Sequence, residues 1–153
     1  MSDSPIIRFA VREDFPDWLP LWEGYNRFYG RFGPTALPDD ITRATWDRFF
    51  DAYEPMHALV AERAGRLIGL AHYIFHRNTI MREPTCYLQD LFTLESERGK
   101  GTGRALINSV YERARLAGLD RVYWHTHETN GVARKLYDKV AELSGFVLYR
   151  KAV

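Results

Sequence analysis

The order of elements along this chain predicts an α+β fold, a mixed and mostly antiparallel sheet of about six to seven strands flanked by four helices. Three observations carry the prediction. Two apolar, β-rich runs, 56–63 and 67–76, are separated only by Ala64-Gly65-Arg66, which signals an antiparallel hairpin. Apolar residues recur at spacings of three and four over 18–29 and again over 103–117, the period of helices with one buried face. The second of these helices lies between β-rich runs at 85–94 and 121–126, and a strand–helix–strand unit makes its two strands parallel.

Each element has its own local reason. Ile6 to Val11 reads as the first strand, and Arg12-Glu13-Asp14 leads into a helix whose Trp18, Leu21, Trp22, Tyr25, Phe28 and Tyr29 form an aromatic stripe, most of it core. Two glycines and two prolines between Gly30 and Pro38 break that helix into a loop. Residues 39–53 resume a helical pattern with Ile41, Trp46, Phe49 and Phe50 inward, and Pro55 stops it. After the hairpin, the polar connection from Asn78 to Pro84 leads into a strand from Thr85 to Leu94. Gly103 to Ala117 is the most periodic helix, with Leu106, Ile107, Val110, Tyr111 and Ala114 on one stripe and Gly118 past its end. Arg121 to Thr126 is a fifth strand, Asn130 caps a helix running through Leu143, and Phe146 to Lys151 forms the last strand.

Composition narrows the classes. A chain of 153 residues, 46% hydrophobic and 27% charged, reads as one domain spanning 1–153 with its own core. No apolar run approaches the ~18 residues of a membrane span, and no secretory signal is evident, so a cytoplasmic protein with no membrane partner is expected. The net charge of +1, with both signs interspersed, implies no general affinity for nucleic acid. Cys86 stands alone and reads as core packing, and the five histidines lack zinc-ligand spacing, so no metal is expected.

The chemistry points to Leu88–Arg104, a strand followed by an acidic loop and a glycine-rich turn. Glycines at 99, 101 and 103 precede a helix, so free backbone N–H groups and the positive end of its dipole converge on a phosphate-sized volume. Arg98, Lys100 and Arg104 add charge at its rim. Neither common phosphate loop fits. Lys100 lacks the GxxxxGK spacing of a P-loop, and a GxGxxG fingerprint begun at Gly99 meets Arg104 where glycine is required.

What remains is Arg98-Gly99-Lys100-Gly101-Thr102-Gly103, followed by Asn130 and by AxxLY from Ala133 to Tyr137, with YLQDLFT as the preceding strand. This set resembles the GNAT N-acetyltransferase superfamily, and YLQDLFT is similar to the YLEDLYV of diamine acetyltransferases; the whole-chain pattern is closest to the branch holding these and the histone-and-other-protein acetyltransferases. The resemblance implies acetyl-CoA as cosubstrate, its pyrophosphate on the turn formed by Arg98, Gly99, Lys100, Gly101, Thr102, Gly103 and Arg104. It implies pantetheine amides paired with the strand around Phe92 and Thr93, with Asn130 beside them. Tyr137 matches the tyrosine that protonates the departing thiolate, and Tyr25, Asn26 and Tyr29 lie where the family's first helices line the acceptor site. Gln89 stands where the diamine enzymes carry glutamate; Asp90, on the opposite face by strand alternation, is the nearest ionisable group for the base.

The function expected is direct acetyl transfer in a ternary complex to a primary amine: a small amine, a polyamine or a lysine side chain. A non-catalytic CoA-binding regulatory module of the same fold is the competing reading. The family usually closes with two strands after the last helix, and one is legible here; either a neighbouring subunit supplies the edge, giving a homodimer, or the final hairpin is absent.

Overall fold

The structure, a computed structural model, describes residues 4–153. Five strands form one sheet in the order β1-β2-β3-β4-β5: β1 (Ile6–Phe9), β2 (Met56–Arg63), β3 (Arg66–His76), β4 (Thr85–Thr93) and β5 (Val122–Tyr123). The first four pair antiparallel, and β4 pairs parallel to β5. Helices α1 (Phe15–Phe28), α2 (Asp39–Arg48), α3 (Thr102–Leu116) and α4 (Gly131–Val140) complete the main elements. No helix among the described residues is long and apolar enough to cross a membrane.

The β2–β3 hairpin follows from its turn. Arg63 pairs with Arg66 across Ala64-Gly65, and both turn residues have positive φ, the backbone of a tight hairpin matched to strand twist. Each face of the sheet carries a core. Trp18, Leu21, Trp22 and Tyr25 of α1 pack with Trp46 of α2 against Val60 and Leu70. Leu106, Ile107, Val110 and Ala114 of α3 pack on the other side against Leu59, Ile68, Ala71 and Leu88. Trp18 is wholly buried and stacks at 5.6 Å on Trp22, so the aromatic stripe is core over most of its length.

The sheet is smaller than the six to seven strands expected. Among the described residues β5 holds only two, and Phe146 to Lys151 forms no strand; every residue from 141 to 153 is exposed. An isolated apolar run has β-propensity but makes a strand only where an edge receives it, and here no partner strand lies beside it. Helix α4 ends at Val140 rather than Leu143, α3 starts at Thr102, and Ile41 is exposed rather than inward.

Candidate active site

The site grows from an irregularity in β4. Opposite His72 stands Asp90, and opposite the next residue, Tyr73, stands Leu88, so Gln89 is an extra residue and the strand bulges there. The bulge resets the alternation of side chains. Cys86 and Leu88 pack on the α3 side, and unbroken alternation would send Asp90 after them. Instead Leu91 takes the α3 side, while Asp90 and Phe92 emerge beneath α1. Gln89 is exposed and its neighbour Asp90 only 6% so.

Asp90 is held by a buried chain of hydrogen bonds. The Trp18 Nε1–H group lies 3.1 Å from His72 Nε2, and His72 Nδ1 lies 2.9 Å from Asp90 Oδ2. Indole nitrogen only donates, so Nε2 accepts, and the imidazole proton sits on Nδ1 and is donated to the carboxylate. A protonated His72 would set donor against donor at Trp18. This fixes the carboxylate's orientation and aims its remaining lone pairs at the α1 tyrosines.

Tyr25 and Tyr29 form that wall. Their rings lie 5.0 Å apart, and the Tyr25 hydroxyl sits between the Gln89 carbonyl, 3.4 Å away, and the Asp90 carboxylate. Burial first, and then Asp90, push both phenols up; the Arg31 guanidinium pulls them back. Arg31 lies over both rings, 5.8 and 5.4 Å from their centroids. The Asn26 amide donates to the Trp22 carbonyl at 2.8 Å, and its oxygen accepts from Arg31 Nε at 2.6 Å, so it sets the arginine. A groove of about 330 Å³ opens beside Arg31, lined by Trp22, Asn26, Phe32, Leu37 and Thr42 among others.

The β4–β5 pairing stops at Tyr87 and Tyr123, so β4 from Leu88 to Thr93 presents an unpaired edge toward the glycine turn. Phe92 packs on α1, where a β-carbon on Gly24 would come within 2.7 Å of the ring, and the Arg98 guanidinium lies 5.7 Å from the ring centroid. Arg98 Nε also donates to the Thr93 carbonyl at 3.1 Å. Gly99 and Gly101 take φ of 75° and 86°, left-handed values that exclude ordinary side chains, and a β-carbon at either meets nothing within 4 Å. The first intrahelical bond of α3 runs from Ala105 N–H to Gly101 O, which leaves the N–H groups of Thr102, Gly103 and Arg104 ahead of the ladder. The Thr102 hydroxyl is buried there with no hydrogen-bond partner among the described residues. Glu97 meets Arg63 at 3.2 Å and Lys100 at 3.6 Å and so fastens the loop to the end of β2. Open space, free donors and a cationic rim fit a pyrophosphate.

On the far side of this notch, Asn130 occupies the N-cap position of α4 without capping it; its amide donates to Thr126 Oγ1 at 3.1 Å. The expected side-chain cap is therefore a loop bond instead. Tyr137 packs edge-on against Trp124 at 5.4 Å, and burial, then Tyr29, push its phenol up to about 12. It is a protonated donor throughout the physiological range. Cys86 is wholly buried, and burial pushes its thiol up to about 12, so it offers no thiolate. Among the described residues no three His, Cys, Asp or Glu side chains cluster as a metal site.

A bulged β4, a left-handed glycine turn and a helix start that points its amides into the notch now stand together. The acetyltransferase (GNAT) family model matches residues 18–141, most of the chain. The chain belongs to the GNAT family. A D-amino-acid N-acetyltransferase of Saccharomyces cerevisiae is 34% identical over 99% of this chain and 92% of its own. An uncharacterized N-acetyltransferase of Bacillus subtilis is 26% identical, over 94% of each. An aminoglycoside N-acetyltransferase solved in complex with CoA superposes with a TM-score of 0.79 at 22% identity, over 100% of this chain and 98% of its own. GNAT membership brings acetyltransferase chemistry.

Sequence reasoning missed Trp18, His72 and Arg31 as parts of the site. His72 reads as an ordinary strand histidine until the register sets it opposite Asp90. For Arg31 a signal existed: an arginine two residues past the last tyrosine of an aromatic helix face, at the start of a glycine–proline loop.

Proposed function

We propose that the protein transfers the acetyl group of acetyl-CoA directly to the amine of a small amino acid, with both substrates bound at once. One observation carries the acceptor assignment: an oriented carboxylate, Asp90, and a guanidinium, Arg31, act on the same two tyrosines. Opposite charges at the two ends of one short wall complement a zwitterion, ammonium toward Asp90 and carboxylate toward Arg31. The groove beside Arg31 gives room for the acceptor's side chain. The yeast relative's substrate class supports the same reading.

In this reading Asp90, fixed by His72, accepts the ammonium's hydrogen bonds and takes its proton, directly or through one water, which frees the nitrogen lone pair. Tyr25 and Tyr29 with Arg31 orient the amine for attack on the thioester carbonyl. A β4 backbone N–H near Phe92 stabilises the oxyanion, and Phe92 and Thr93 hold the pantetheine arm with Asn130 across the notch. As the C–S bond breaks, the Tyr137 hydroxyl donates toward the sulfur, and CoA leaves as the thiol. Arg98 to Arg104 hold the pyrophosphate.

The test is release of CoA thiol with free amino acids of both hands, their α-amides, a diamine and a lysine peptide. Free amino acids should turn over; the amides should lose at least about tenfold in kcat/KM, a single charged contact being worth ~1.5–3 kcal/mol. Arg31→Gln should erase the difference. A diamine or lysine peptide preferred over every amino acid would remove the acceptor assignment alone. No release with any amine, despite tight acetyl-CoA binding, would leave a CoA-binding regulatory module.

A further inference from the structure

Building on the amino-acid reading of the acceptor, on which this rests, we propose that Tyr87, Tyr123 and His125 form a platform for the acceptor's side chain and that the platform selects a flat aromatic ring. Tyr87 stands opposite Ile74 and Asp90 opposite His72, on next-but-one rungs of the β3–β4 ladder, so both side chains emerge on the α1 face of the sheet. The platform therefore begins beside the carboxylate. Tyr123 is the partner of Tyr87 across the β4–β5 pair, and the two rings stack 5.0 Å apart at 17°. His125 lies 5.4 Å from the first ring and 5.8 Å from the second.

Neither core claims these rings. Among the described residues, Tyr87 and Tyr123 join the packed cluster on neither face of the sheet; both are half-buried, and His76 and His125 beside them are exposed. Hydroxyl bonds hold the rings in place all the same. His76 Nδ1 meets the Arg77 carbonyl at 2.9 Å and so carries the proton, which leaves Nε2 to accept from the Tyr123 hydroxyl at 2.7 Å. The Tyr87 hydroxyl lies 3.2 Å from His125 Nδ1. Rings already held lose little further freedom when another ring settles on them. Burial first, and then the Asp90 carboxylate, push the Tyr87 phenol up, which sets the platform within reach of the ammonium end of the acceptor. The acceptor's hand follows from the clamp. With the ammonium at Asp90 and the carboxylate at Arg31, two positions remain on the α-carbon, and exchanging hydrogen and side chain between them inverts the hand. The platform takes the side chain of one hand, and the groove beside Arg31 that of the other.

The experiment compares free phenylalanine with free leucine, in both hands, by kcat/KM and by calorimetric binding to the full chain saturated with CoA, so that a readout remains without turnover. Phenylalanine of one hand should be favoured by about two- to tenfold, the extra worth of an aromatic pair beyond its burial. Tyr123→Leu and Tyr87→Leu should each abolish that preference, while Tyr123→Phe, which keeps the ring, should keep it. The two leucine substitutions lie on different strands, so a variant that fails to fold leaves the other to decide. Equal treatment of phenylalanine and leucine in both hands overturns the proposal, and so does a preference that survives both leucine substitutions. Phenethylamine against isopentylamine separates the platform from the zwitterion reading. Both amines lack a carboxylate, so a ring preference that persists between them and falls in the leucine variants upholds the platform even where free amino acids and their amides react alike.

Discussion

Gly101→Val tests the cofactor site against the backbone it is built from. At φ 86° a branched side chain is strained, and leaving the left-handed region closed to it costs about 1–2 kcal/mol or more. A β-carbon at Gly101 meets nothing within 4 Å beyond its chain neighbours, so backbone strain is the effect expected on the free protein. For a chain of this length each kcal/mol lowers the melting temperature by ~2–4 °C. Gly118, just past the other end of α3, has nearly the same φ, 84°, and equally open surroundings. Gly118→Val therefore reproduces the strain without touching the notch. Acetyl-CoA at a hundred times its dissociation constant should stabilise the natural protein and Gly118→Val by about 2.7 kcal/mol, a rise of roughly 5–10 °C. For Gly101→Val the rise should vanish, because the new methyls fill the space in front of the α3 amides. Thermal melts by circular dichroism with and without acetyl-CoA decide it; an undiminished rise in Gly101→Val would mean that the pyrophosphate binds elsewhere.

Tyr137→Phe removes one hydroxyl and should lower kcat by about 10²–10⁴ while the acetyl-CoA melting shift is retained; single-turnover kinetics with unaltered rate would return Tyr137 to packing. Asp90→Asn keeps an oxygen for the His72 Nδ1–H, so the variant should fold normally yet lose about 10²–10⁴ in kcat/KM, and equal activity in a coupled thiol assay would exclude the carboxylate as base. At the edge of the sheet, Asp14 accepts two bonds from Arg8, at 2.7 and 2.9 Å, and one from Val11 N–H at 2.8 Å, and Arg8 above all holds its carboxyl below the usual range. Its contribution is thus complete above the unfolded value of ~3.9 and is lost as pH falls through the lower folded value. Asp14→Asn should cost about 1.5–3 kcal/mol in urea titrations near neutrality, with the gap closing below about pH 4; a gap that persists in acid would show that packing, not charge, is at stake.

The elements that local chemistry dictates were readable from residues alone. Ala64-Gly65 makes its hairpin, the stripe from Trp18 to Tyr25 makes its core, and the glycines at 99 and 101 take the left-handed backbone that their lack of a β-carbon favours. What long-range pairing decides was not. Phe146 to Lys151 has the composition of a strand, yet a strand exists only with a neighbour, and the described residues provide none. Asn130 has the residue type of a cap, but its side-chain oxygen takes no helix N–H, and its amide instead donates to Thr126 Oγ1. The direction of Asp90 was out of reach for the same reason: regular alternation is the only rule a lone strand supplies, and its interruption at Gln89 is a property of the pair β3–β4.

That interruption makes the face on which Asp90 emerges a matter of strand pairing more than of residue kind. Gln89 is exposed and is the residue the ladder leaves over. A regular ladder that kept Gln89 would pair it with His72 and carry Asp90 across the sheet into the aliphatic layer under α3, whereas deleting Gln89 removes the extra residue and leaves Asp90 opposite His72 on the α1 face. Which layer owns the carboxylate is thus settled by how β3 grips β4, and two chains with the same residues at the candidate site could differ in it.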